Sequence, residues 1–196
     1  MSRKSIREFI RFVLKEEKQH LDSAQILSQW AHQGQKRRSG EPYFLHPQEV
    51  ANIVKRYYSD IETYYTAMLH DALEDGIPLG NIKNEEAFFD VLLGEIPNAT
   101  IENVDTIYNA IVDLTKTVND DYFSYVVNLT NNPIAFRVKL ADMMQNTGDN
   151  PSDRQLRKYV KAKNLLVDQF KNKPPPGISP VHWQEFKRAI ESAEEK

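Results

Sequence analysis

Cysteine is absent from this 196-residue sequence. That excludes disulfides, thiolate metal sites and a cysteine nucleophile, and it fits a reducing compartment. Long apolar runs are absent too, and no stretch approaches the roughly 18 residues of a membrane span. The N-terminal MSRKSIREFIRFVLKEEK interleaves charge with Ile6, Phe9, Ile10, Val13 and Leu14. This is a helical period, not the unbroken apolar core of a signal peptide. Nor is there an excess of positive charge. A net charge of −3 provides no global attraction to nucleic acid or to a membrane. These absences lead to the expectation of a soluble cytoplasmic protein with neither nucleic acid nor membrane as a partner.

Forty per cent of the residues are hydrophobic, which suits one globular domain with a single core. Apolar positions recur at three- and four-residue spacing, without a convincing alternating stretch or an internal repeat. The pattern predicts helices near 3–18, 21–33, 47–57, 60–74, 84–94, 100–117, 120–130, 133–146, 153–171 and 181–194. Gly34, Gly40, Pro42, Gly76, Pro78, Pro97, Gly148 and Pro151 punctuate the gaps. Pro47 and Pro133 suit first helical turns, and Asp60 and Ser152 suit N-caps. The run KPPPGISP from Lys173 to Pro180 cannot be helical. It divides a main domain, 1–172, from a connector and C-terminal helix, 173–196. The expectation is an all-α single domain with a C-terminal appendage.

The stretch TAMLHDALEDG, residues 66–76, places His70, Asp71, Glu74 and Asp75 among apolar neighbours. Carboxylates are costly to bury unless paired or bound to a cation. On a continuous helix, His70 and Glu74 lie one turn apart, as do Asp71 and Asp75. His46 opens a further predicted helix at HPQEV, and Asp142 sits inside the apolar RVKLADMMQN. For Asp142 the structural alternative is an N-cap or a salt bridge to an arginine such as Arg137. Taken together, two imidazoles and two carboxylates from three helices form a candidate ligand set of His46, His70, Asp71 and Asp142. Mixed nitrogen and oxygen donors suit Mn, Fe, Zn, Co or Ni better than Ca or Mg. His32 reads as structural or supporting, and His20 and His182 as surface or helix-end residues.

Before His46 runs HQGQKRRSGEPYFLHP, with a compact basic triplet at Lys36, Arg37 and Arg38. Gly34 and Gly40 permit tight turns, Pro42 stiffens the approach, and Tyr43 offers a ring for stacking. Guanidinium groups there can bind phosphates bidentately and stack on a base.

RRSGEPYFLHP, LHDALEDG and KLADMMQN, in that order, resemble the hydrolase domain of the RelA/SpoT alarmone enzymes and the stand-alone small alarmone hydrolases. These are members of the HD superfamily of metal-dependent phosphohydrolases. The resemblance covers roughly residues 20–165 and implies an all-helical HD-domain fold of about ten helices. It implies a Mn2+ site of His46, His70, Asp71 and Asp142. It also implies hydrolysis of the 3′-pyrophosphate of (p)ppGpp (guanosine tetra- or pentaphosphate) to pyrophosphate and GDP or GTP. Arg37, Arg38 and Ser39 match the family's nucleotide-contacting R-K-S-G segment, with arginine in the lysine place. Tyr43 matches the tyrosine of its EPY, Asn146 its nucleotide-contacting asparagine, and Glu74 and Asp75 its hydrolytic acidic pair. The family commonly reads LADRLHN where this sequence has LADMMQN, a departure expected to fall on the nucleotide side. The chain is too short to add a synthetase domain, so hydrolysis alone is expected.

In that reading Glu74 and Asp75 orient the attacking water and handle its proton, while Arg37 and Arg38 neutralise phosphate charge. Two alternatives stand beside it. One is an HD phosphohydrolase for another nucleotide, such as a nucleotide monophosphate ester or NADPH. The other is a non-catalytic nucleotide-binding sensor.

Overall fold

A computed structural model describes residues 3–116 and 121–195, with side chains at Lys15 and from Lys18 onward. The apolar positions from Ile6 to Leu14 therefore lie outside the described side chains. Residues 117 and 120, within two of the predicted helices, lie outside the described chain.

The order of elements is α1 (Arg3–Ala31), α2 (Leu45–Val54), α3 (Ile61–Leu69), α4 (Ala72–Gly76), α5 (Glu85–Glu95) and α6 (Ile101–Leu114). Then come α7 (Tyr122–Asn128), a 3-10 turn (Leu129–Asn131), α8 (Pro133–Gly148), α9 (Asp153–Gln169) and α10 (Pro180–Glu194). The fold is all-α. Among the described residues the only strand-like pairing is one isolated bridge, Lys36 to Pro42.

Helix starts follow side-chain chemistry. Asp60 accepts from the Thr63 amide at 3.1 Å, Asn84 from Ala87 at 2.9 Å and Ser152 from Gln155 at 3.3 Å. Pro133 and Pro180 occupy first-turn positions, where the missing N–H costs nothing. Two predicted helices, 3–18 and 21–33, are instead one. No glycine or proline separates them, and the Ser23 hydroxyl, which could have capped a second helix, donates to the Glu95 carbonyl at 2.6 Å instead.

At the centre is α3, packed by α1, α2, α6 and α8. Its Tyr65, Met68 and Leu69 are fully buried. On α6 the buried Val104, Ile107, Ala110, Ile111 and Leu114 recur at helical spacing, forming the stripe that meets α3. Val50 and Ala51 of α2 and Val138, Leu140 and Ala141 of α8 enclose the other side.

After the proline-rich connector, α10 packs on α8 and α9 and buries Trp183, Phe186 and Ile190 in the same core. Gly177 makes this approach possible. Its φ of +75° lies in the left-handed region, and a Cβ there would meet the Pro133 Cβ at 2.7 Å. His182 stands at a helix end as expected, in the first turn of α10, but this packing buries it, so the surface alternative is corrected. Its ring stacks on Tyr57 at 4.4 Å, and its Nδ1 lies 3.1 Å from the Tyr58 hydroxyl. That hydroxyl also accepts from the Ser179 amide at 3.0 Å, and burial lowers the His182 ring to about 3, so the ring is neutral.

Candidate metal centre and active site

His46 stands in the first turn of α2, where Pro47 fixes the backbone. His70 and Asp71 do not continue α3 as the predicted helix 60–74 required. They form a corner between α3 and α4. The His70 ring bends back so that Nδ1 donates to the Ala67 carbonyl at 2.8 Å. Asp71 takes φ −99°, ψ 0°, outside the helical basin. Asp142 lies mid-way along α8 and is buried.

Their ligand-type atoms converge. His70 Nε2 is 3.3 Å from Asp71 Oδ2 and 3.9 Å from Asp142 Oδ1. His46 Nε2 is 3.6 Å and 3.3 Å from the same two oxygens. Candidate donor atoms of His46, His70 and Asp142 all lie within 4.8 Å of one another, close enough to hold one metal ion. The supporting bonds prepare the rings for ligation. His46 Nδ1 donates to Gln145 Oε1 at 2.8 Å, as His70 Nδ1 does to Ala67, which turns each Nε2 towards the cluster. His70 Nε2 is buried without a hydrogen-bond partner among the described residues. An orphaned ring nitrogen facing two carboxylates is the arrangement a cation completes, and the donor set fits a divalent transition metal.

The electrostatics agree. Burial opposes charge on His70, but Asp71 and then Asp142 outweigh it, raising the imidazole to about 9. Burial would raise the Asp142 carboxyl, yet Lys139 and the histidines hold it well below its ordinary range. Lys139 Nζ sits 2.8 Å from Asp142 Oδ2, so the sequence alternative of Arg137 as partner is replaced. Arg137 pairs with Asp60.

A cleft of about 790 Å³ opens over these atoms. It is lined by Arg37, Arg38, Ser39, Tyr43, Glu74 and Asn146 together with all four candidate ligands. Glu74 is exposed there. Partial burial, and next the Asp71 charge, push its carboxyl upward. Tyr43 donates its hydroxyl to Asp71 Oδ2 at 2.7 Å, and Asn146 donates to Asp142 Oδ1. Arg37 is held by Glu49 at 3.1 Å and Asp149 at 2.5 Å. Ser39 turns its hydroxyl to Glu41 at 3.2 Å.

Asp75 is not among the residues lining the cleft. Its Oδ2 accepts from Gln35 Nε2 at 2.9 Å, and Gln35 Oε1 lies 2.8 Å from His32 Nδ1. The His32 ring packs on Tyr43 at 4.9 Å, so this group lies behind the tyrosine. The LADMMQN departure is likewise relocated. Gln145 supports His46 and also donates to Glu49 at 2.5 Å, while Met143 is fully buried in the core.

Several lining residues were not singled out from sequence: Lys116, Tyr122, Tyr125, Lys139, Gln155 and Lys158. Only Lys139 carried a signal, three positions before Asp142 on one helical face.

Residues 24–91 match the family model described as HD domain. Over 72 residues the chain is 42% identical to the bifunctional (p)ppGpp synthase/hydrolase SpoT of Escherichia coli strain K12, covering 36% of this chain and 10% of that protein. It is 46% identical over 55 residues to the guanosine-3′,5′-bis(diphosphate) 3′-pyrophosphohydrolase of Vibrio cholerae, covering 28% and 8%. A GTP pyrophosphokinase of Myxococcus xanthus matches at 46% over 55 residues, covering 28% and 7%. The chain spans a tenth or less of the length of these curated relatives. It thus carries an HD-domain segment and resembles the SpoT hydrolase domain. Asp142 lies beyond the matched segment and reaches the cluster through the fold. No helix among the described residues is long and apolar enough to cross a membrane.

Proposed function

We propose that this protein is a metal-dependent 3′-pyrophosphohydrolase of (p)ppGpp, releasing pyrophosphate and GDP or GTP. The observation carrying the proposal is the convergence of His46, His70, Asp71 and Asp142 at the floor of a cleft bearing Arg37, Arg38, Tyr43 and Glu74. The similarity to named (p)ppGpp hydrolases supports the choice of substrate.

His46, His70, Asp71 and Asp142 would hold the ion, Mn2+ being the expected occupant. Lewis acidity towards water and a phosphoryl oxygen is what a divalent ion supplies in such a site. The chain's own groups do the rest. Tyr43 fixes the rotamer of Asp71, and Gln145 fixes His46. Glu74, with its carboxyl raised by partial burial and by Asp71, takes the proton of the attacking water at an Oε atom. Arg38, which has no ion-pair partner among the described residues, meets a phosphate at the cleft mouth, and Tyr43 and Asn146 contact the nucleotide. Asp75 acts from behind by holding Gln35 and, through it, the loop under Tyr43.

A second reading, an HD phosphohydrolase for another nucleotide, is favoured by one feature. Arg37, the first arginine of the basic segment, is already engaged by Glu49 and Asp149. The test is purified metal-supplemented protein against (p)ppGpp and a nucleotide panel, with pyrophosphate and orthophosphate measured separately. Pyrophosphate from (p)ppGpp is expected. Orthophosphate from a different nucleotide, with the alarmone untouched, selects the second reading.

A further inference from the structure

The cleft has a second polar wall built by α7 and α9. Gln155 and Lys158, three apart on α9, both line it. Lys158 Nζ stands 4.3 Å from the centre of the Tyr122 ring and 5.2 Å from that of Tyr159. Gln155 Nε2 donates to the Tyr159 hydroxyl at 3.0 Å, fixing the ring beside the ammonium. Burial, and then the neighbouring Lys139, depress the Lys158 ammonium. No carboxylate forms a salt bridge with it among the described residues, whereas Lys139 has Asp142 and Arg37 has Glu49 and Asp149. In the same wall the Tyr122 hydroxyl is buried without a hydrogen-bond partner among the described residues.

An ammonium facing aromatic rings and an orphaned hydroxyl thus share one side of the cleft. A single anion would satisfy both, by charge for Lys158 and by an acceptor for Tyr122. The phosphoryl group being cleaved must lie against the four converging ligand atoms, where Lys139 already supplies local positive charge. Lys158 stands outside that set.

We propose that Lys158 and the Tyr122 hydroxyl recognise a phosphate group of the substrate other than the one cleaved. The cleft then prefers nucleotides bearing two separate phosphate groups over those with one. This rests on reading the cleft as a nucleotide phosphohydrolase site.

Calorimetry on the metal-loaded protein with GDP and with guanosine tests the subsite without turnover. The wild type binds GDP about tenfold or more tightly than guanosine, the ordinary worth of a hydrogen bond to a charged group. In Lys158→Gln and in Tyr122→Phe the preference shrinks severalfold. Guanosine affinity, metal content and melting temperature stay unchanged, and Lys158→Arg restores most of the GDP preference. Unchanged GDP affinity in both variants at equal metal content overturns the subsite. Weakened binding of inorganic pyrophosphate with GDP unaffected also overturns it, because the lysine then serves the leaving group. If the protein does not hydrolyse (p)ppGpp, the substrate reading above falls alone. An ADP-over-adenosine preference abolished by Lys158→Gln then still carries the subsite, and its absence in the wild type overturns it.

Discussion

His70 and His182 are both buried, both hydrogen-bonded through Nδ1, and both left with an Nε2 lacking a partner among the described residues. Their acidities nevertheless part in opposite directions. At His182 burial dominates, with Arg56 and Arg137 adding to it, and the ring falls to about 3. At His70 the carboxylates of Asp71 and Asp142 overcome the same burial and lift it to about 9. One is a neutral aromatic slab between Tyr57 and Tyr58. The other is part of a seat for positive charge. An orphaned imidazole nitrogen alone distinguishes nothing; the charge of the groups it faces does.

The largest effects should come from removing what makes the two histidines different. His70→Ala or Asp142→Ala should abolish metal uptake and lower turnover by more than about 100-fold, beyond the loss typical of outer partners. His182→Gln should leave metal content and turnover in place while lowering the melting temperature. Elemental analysis beside a hydrolysis assay checks both. Full metal content in folded His70→Ala protein would erase the contrast.

Next in size is Glu74→Gln, which keeps the ligand set and removes the proposed proton acceptor. Turnover should fall by about 10²–10⁴-fold at unchanged metal content. Asp75→Asn should fall far less, because its partner is Gln35 and not the cleft. Equal losses in the two variants would place both acids in the chemistry.

A smaller effect belongs to Gln145, which holds the Nδ1 of His46 as Ala67 holds that of His70. Gln145→Ala leaves His46 unoriented, and metal affinity should drop by about 10- to 100-fold. Competition against a chelator of known affinity measures it.

The gentlest test is titration of stability. His182 is neutral in the fold at about 3, against about 6.5 for an unperturbed histidine, so below pH 6.5 protons favour the unfolded chain. Its stabilising contribution is full above pH 6.5. It is lost towards pH 3 at about 1.4 kcal/mol per pH unit. Urea unfolding of wild type and His182→Gln at several pH values should show this acid-side slope in the wild type and its reduction in the variant. Parallel slopes would mean that other groups carry the acid sensitivity.

Much of the helical frame was legible because local chemistry decides it. Asp60, Ser152 and Pro133 mark helix starts that no packing needs to correct. The corner at His70–Asp71 was not legible, because it depends on a ring bonding back to Ala67 and a hydroxyl arriving from Tyr43, 28 positions earlier. A continuous helix would have treated Glu74 and Asp75 as a pair. Adjacent helical residues point about 100° apart, and here one faces the cleft and the other Gln35. The proximity of His46, His70 and Asp142 was readable from residue type and apolar setting. The α9 wall was not, since no motif or apolar setting singles out Gln155 and Lys158 within the predicted helix 153–171. The burial of His182 was hidden for a related reason: it comes from Tyr57 and Tyr58, far away in sequence.

The hydroxyl of Tyr43 has one more consequence. It is the terminus of a small hairpin, tied by the Arg37 amide to the Glu41 carbonyl at 2.8 Å and by the Tyr43 amide to the Gln35 carbonyl at 3.1 Å. Its O–H bond to Asp71 joins the loop at the cleft mouth to the floor, beside the bond from the His46 amide to the Tyr43 carbonyl at 2.9 Å. Thermodynamic linkage then requires reciprocity: whatever factor an ion on the floor adds to affinity at the loop, a ligand at the loop adds to affinity for the ion. Tyr43→Phe, which removes one oxygen and leaves the ring, should reduce both factors together and by the same amount.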